Sequence, residues 1–146
     1  MLASAAQGRG PALPDVQVPP ILDPSNSEHV SAVYGAIEAS TSSPNEEVRR
    51  PAEATLKACE RSDNYTGVLL AVVASSAPSH VRVVAVILLK NLVNACWRSR
   101  GGANKVISDS EKEFVRKFLL LHLDEHDKTV AVQLAVLVAK VRQDQY

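Results

Sequence analysis

The sequence predicts an all-α fold of three stacked helical hairpins, an α-solenoid, and three observations carry the prediction. Apolar residues, valine above all, recur at spacings of three and four, the period of a helix face, and do not alternate as a half-buried strand would. Six such stretches are separated by residues that start or stop helices. A pattern in the second stretch returns in the fourth and, more faintly, in the sixth, as a repeat protein requires.

The elements follow in order. Residues 1–27 form a proline-rich leader with five of the eight prolines (Pro11, Pro14, Pro19, Pro20, Pro24) and little apolar mass to offset the entropy of ordering, so it is expected to be flexible. Ser25-Asn26-Ser27-Glu28 reads as a capping box ahead of Val30, Val33, Tyr34 and Ile37, and the first helix starts near Ser27. Thr41-Ser42-Ser43-Pro44 breaks it. Ser43 then caps a second helix to about Arg61, with Pro44 at its first position and a kink or a late start expected from Pro51. Asp63 opens a third helix carrying Tyr65, Leu69, Val72 and Val73, ended by Ser75-Ser76-Ala77-Pro78. The fourth runs from Val81 to Arg100 and stops at Gly101-Gly102. Ser108-Asp109-Ser110-Glu111 is a second capping box, heading a helix to about Leu123, and the sixth helix spans Thr129 to about Gln143. The helices pair at about 28–61, 63–100 and 108–143.

The repeat is visible in the second helix of each pair. Val48-Arg49, Ala52 and Leu56-Lys57 reappear as Val81-Arg82, Ala85 and Leu89-Lys90, then as Ala131, Ala135 and Ala139-Lys140. A small residue at mid-face lets a neighbouring helix come close, as stacked hairpins require. On a wheel the fourth helix buries Val81, Val84, Ala85, Leu88, Leu92 and Ala95. It presents Val86, Val93 and Trp97 on the other side, flanked by Arg82, Lys90 and Asn94. That second, mixed face suits part-time burial by a partner, although a tryptophan there is as readily explained as packing between repeats.

Composition narrows the function class. Lys and Arg total 16 and Asp and Glu total 16, so the basic footprint of a general nucleic-acid or membrane-surface binder is missing. Neither a signal peptide nor an uninterrupted apolar run long enough to cross a bilayer is read in the sequence, and Cys59 and Cys96 sit in helical apolar patterns as small hydrophobes, which fits a reducing compartment. Asn64-Tyr65-Thr66 matches the N-glycosylation pattern but reads as a bare helix start. His122-Leu123-Asp124-Glu125-His126 matches a zinc-peptidase motif, but it straddles a helix end and lacks a third ligand, so ordinary exposed residues are the better reading. No phosphate-binding glycine loop and no cofactor signature is present, and His29 and His80 simply open helices.

Val81, Arg82, Ala85, Leu88 to Val93 and Trp97 together resemble the signature of the importin-β (karyopherin) N-terminal domain, the first HEAT repeats of nuclear transport receptors. Arg50-Pro51-Ala52-Glu53 with Leu56-Lys57 resembles the family's first repeat, and Gln133 to Lys140 its third, so the resemblance covers residues 29–146. It implies a binding module and not an enzyme. Its partner would be the small GTPase Ran in its GTP form, held on the inner surface that the second helices line. The candidates that this sequence offers there are Lys57 on the first repeat, Arg82, Lys90, Asn94 and Trp97 on the second, and Gln133 and Lys140 on the third. Protein cargo and nuclear pore proteins are implied for a full-length superhelix, with residence in cytoplasm and nucleus and passage through the pore of the nuclear envelope. Neither direct nucleic-acid binding nor membrane insertion is implied. Family members carry many more repeats, so Val136, Val138 and Val141 are expected to leave an apolar end exposed after the third. A HEAT or armadillo-like scaffold unrelated to transport is the alternative.

Overall fold

The computed structural model describes residues 17–97 and 107–143. Among them six helices follow one another: α1 (Ser27–Ser42), α2 (Glu46–Cys59), α3 (Tyr65–Ala74), α4 (Ser79–Cys96), α5 (Asp109–Leu121) and α6 (Lys128–Gln143). The all-α hairpin repeat is therefore the fold. The expected stop at Gly101-Gly102 lies outside the described residues; α4 ends earlier, at Cys96, with Trp97 as its C-cap.

The caps show why the boundaries shifted by a residue or two. Asn26, not Ser25, caps α1, its side-chain oxygen accepting from the amides of Glu28 and His29. Asn45 replaces Ser43 as the cap of α2, and Ser43 instead accepts the Asn45 amide. Helix α2 runs on through Pro51 to Cys59. Asn64 precedes α3 in the left-handed region, at φ 67°, a conformation that asparagine tolerates better than most residues. Asp127 heads α6 by accepting from the Thr129 and Val130 amides at 2.9 and 3.1 Å.

The helices form two layers. The first helices α1, α3 and α5 pack side by side, and α4 packs on α6 in the second layer while also meeting α3 and α1. Within the hairpins α1 pairs with α2 and α3 with α4, whereas α5 and α6 touch each other least. That splay leaves a groove of about 410 Å³ between them, floored by Leu119, Leu120, Leu123, Val138 and Val141. Of the residues expected on the exposed end, Val136 is exposed, Val138 is partly covered and Val141 is buried, and Leu120, Leu121 and Val132 add to the exposure.

Helix α4 does not have the two opposed faces that the wheel suggested. Val81, Leu92, Ala85, Leu89, Val93, Val86 and Trp97 are all buried and fall, in that order, on one continuous arc of about 160° centred on Leu89. Ala95 lies outside the arc and is exposed, and Val84 and Leu88 are only partly covered. Its 18 largely apolar residues are long enough to cross a membrane; here they meet three neighbouring helices. The third copy of the repeat needs a similar correction. In α6 the buried residues are Val130, Leu134, Leu137 and Val141, one position before the expected register, and Ala135 and Ala139 face outward. A helix that is apolar almost all round offers no contrast from which to fix its register.

The leader departs most from expectation. From Gln17 onward it is described, and Leu22 is buried in the core at 3% exposure. Prolines 19 and 20 hold the backbone extended at little entropic cost, and its carbonyls and amide find partners in the turn between α2 and α3.

Candidate functional site

The seven residues proposed for partner contact lie on α2, α4 and α6 or, for Trp97, at the end of α4; α4 packs on α6, while α2 packs on α1. They do not share one environment. Lys57 projects from α2 with its side chain 79% exposed, 3.6 Å from Glu60, a pair too solvated to restrain it. Lys90 stands at the edge of the buried arc of α4, half-buried, and Asn94 is exposed one turn further on. Gln133 and Lys140 flank the buried stripe of α6 on one side and are both half-buried. The Gln133 side-chain oxygen is enclosed without a hydrogen-bond partner.

Two of the seven belong to the interior. Trp97 is 1% exposed, because α5 closes over it and sets Lys112 Nζ at 5.4 Å and Arg116 Cζ at 5.6 Å from its ring centroid. It is a core aromatic roofed by two cations and not an anchor for a partner. Arg82 sits on the wheel in the middle of the apolar arc, where only pairing makes a charge tolerable. Its guanidinium grips Glu125 through both terminal nitrogens, with side-chain exposures of 16% and 12%, and its Nε donates to the Val73 carbonyl at 2.6 Å. The Arg82 contact holds the Glu125 carboxyl below its ordinary value, helped by the Asp127 amide. Asp127 is lowered as well, first by the Ser79 hydroxyl. Sequence reasoning gave Arg82 to a partner because nothing in the local pattern shows a carboxylate arriving from 43 residues away.

The same network disposes of the zinc-peptidase motif. Glu125 is committed to Arg82, and the His122 ring stacks on Phe118 at 3.8 Å with its Nδ1 2.9 Å from the Phe118 carbonyl. Among the described residues no group of His, Cys, Asp and Glu is arranged to hold a metal. Burial pushes the Cys59 thiol up to about 11, which leaves it a hydrophobe, and raises the Tyr65 phenol too. Within the glycosylation pattern Thr66 is fully buried, its hydroxyl donating to Glu111 at 2.6 Å.

That last bond was not anticipated. Ser108 caps α5 as expected, accepting the Glu111 amide at 3.2 Å, but the Glu111 carboxylate reaches across to α3 instead of back to its own cap. The third hairpin is thus fastened to the second by Thr66–Glu111 in one layer and by Arg82–Glu125 in the other.

The importin-β N-terminal domain family matches residues 52–125, from mid-α2 to the α5–α6 turn, half of the chain. The chain belongs to the importin-β family. Curated relatives agree. Importin-11 of Mus musculus is 31% identical over 112 residues, 76% of this chain and 11% of that protein. Importin-11 of Homo sapiens is 34% identical over 95 residues, 64% of this chain and 10% of that one. Exportin-2 of Oreochromis niloticus is 26% identical over 106 residues, 73% and 11% of the two chains. The importin-11 likeness that Pro51-Ala52-Glu53 and the run Ala135 to Val141 carry in the sequence is therefore borne out, with exportin-2 beside it. The importin-β chain described here spans about a tenth of the length of these relatives. No solved structure matches it.

Proposed function

We propose that these hairpins form the Ran-GTP-binding start of a nuclear transport receptor, with the second-helix layer as the contact surface. The observation that carries the reading is that Lys57 and Asn94, exposed, and Lys90, Gln133 and Lys140, half-buried, all stand off the buried stripes of α2, α4 and α6 in a chain of this family. Arg82 and Trp97 support that surface from within. The role is carriage and not catalysis, as for importin-β receptors generally, with protein cargo and pore proteins as further partners. Its place would be the cytoplasm and nucleus, with passage through the nuclear pore.

The test is titration of the chain against Ran loaded with GTP or GDP. The GTP form should bind preferentially. Lys90→Glu should weaken it by on the order of 2 kcal/mol, roughly 30-fold, because a rim charge is reversed at a partly desolvated contact. Helix content should not change, since Lys90 lies outside the apolar arc of α4. Equal affinity for both nucleotide forms would leave the generic HEAT scaffold as the reading.

A further inference from the structure

The segment Pro19 to Pro24 lies along the α2–α3 turn as a ligand lies in a peptide groove. Its contacts alternate. The Pro19 carbonyl accepts from the Ser62 hydroxyl at 2.6 Å, the Pro20 carbonyl from the Asp63 amide at 2.9 Å, and the Leu22 amide donates to the Asp63 carbonyl at 2.8 Å. The Leu22 side chain enters the core, while Ile21 between these contacts stays 61% exposed. Pro24 then lies against Gly67, where a Cβ would come within 2.5 Å of the proline ring. The groove thus reads an extended Pro-x-Leu-x-Pro pattern: main-chain bonds fix the register, alternate side chains are inspected, and the prolines stand where no amide is asked to donate.

We propose that this groove is an interaction site for an extended Pro-x-Leu-x-Pro segment of a partner protein, and that residues 19–24 are its displaceable internal occupant. Two features make the strap exchangeable. To the α2–α3 turn it is held by one core side chain and three hydrogen bonds, with further bonds running from Asp23 to Asn26 and His29 at the head of α1 and with Pro19, Pro20, Ile21 and Asp23 left on the surface. Beside Pro24 a cavity of about 190 Å³ stays open, lined by Asn64, Gly67, Ser110, Glu111 and Phe114, so a partner with a larger residue in that place gains contacts the strap does not make.

The experiment uses the full chain, its amide exchange followed residue by residue as unlabelled Pro-Pro-Ile-Leu-Asp-Pro peptide is added to millimolar levels, comparable with the effective concentration of a tethered strap. Replacement in trans predicts that the Leu22 amide exchanges at least tenfold faster while the Asp63 amide keeps its protection, now from the peptide carbonyl. The same peptide with alanine for leucine should do nothing. In the full chain carrying Leu22→Ala, Asp63 should lose protection and regain it saturably with peptide. Should that variant lose its helices altogether, the wild-type competition decides. Unchanged exchange at both amides, or both speeding up together, overturns the proposal. Leu22 protection that rises with protein concentration would make a second copy's strap the occupant and overturn it equally.

Discussion

Replacing Trp97 with alanine tests the interior of the domain most directly. The ring is 1% exposed and closes the end of α4 under α5. Removing a buried tryptophan of this kind costs about 3–5 kcal/mol through lost transfer energy and the cavity left behind. Lys112 and Arg116 lose the ring face below them, at 5.4 and 5.6 Å, which adds roughly 0.5–1 kcal/mol each. Together this amounts to about 4–7 kcal/mol in a domain whose whole stability is expected within about 5–15 kcal/mol. The variant should melt at least 15 °C lower, at roughly 4 °C or more per kcal/mol, or be unfolded at room temperature. Because Trp97 is the sole tryptophan, unfolding is best followed by circular dichroism with a urea titration as control. Trp97→Phe, which refills most of the volume, should recover more than half of the loss. A melting temperature within about 5 °C of the parent would refute the core assignment and return Trp97 to the candidate partner surface.

Other consequences follow from the polar fastenings. Glu125 has a folded pKa below its unfolded value, so the stability it adds is fully present above about pH 4.3 and is lost as the pH falls through the folded value. Amides of α6 should therefore lose protection in acid before those of α3, and Glu125→Gln should flatten that dependence; an acid response unchanged in the variant would exclude the pair as its source. Thr66→Val leaves the buried Glu111 carboxylate without its hydroxyl donor and should cost about 2 kcal/mol in urea unfolding, whereas no measurable loss would mean the bond is not formed in solution. Leu120→Glu with Leu123→Glu should abolish any concentration-dependent sedimentation of the chain, since these exposed leucines line the α5–α6 groove; association that persists would place the sticky surface elsewhere.

Periodicity and turn residues make the helices legible because they act within a few residues of one another. Six helices and their order follow from spacing and turn residues, and Ser108 caps α5 as read. Errors arise where the deciding contact is distant in the chain. Leu22 lies in a segment whose composition argues for disorder, yet one leucine and the amide and carbonyl of Asp63 order it. Arg82 and Trp97 carry residue types that favour interfaces, and only the arrival of Glu125 and of α5 shows that the interface they serve is internal. Lys57 and Asn94 are exposed and Lys90 is half-buried, each off the buried face of its helix. Gln133 and Lys140 are half-buried beside the stripe of α6, whose register differs by one residue from the one the repeat pattern implies.

The two fastenings of the third hairpin have a mechanical meaning. A helical pair joined to its neighbour by side-chain packing alone can rock, since apolar contacts resist sliding far less than hydrogen bonds resist stretching. Thr66–Glu111 ties the α3–α5 layer and Arg82–Glu125 the α4–α6 layer, so a hinge about either layer must stretch the bond in the other. Bending at this joint therefore requires breaking a buried polar contact first, which makes it stiff against small loads and abrupt in its release. A solenoid that wraps a partner by flexing would then flex at its other joints and keep the α3–α6 block as a rigid segment.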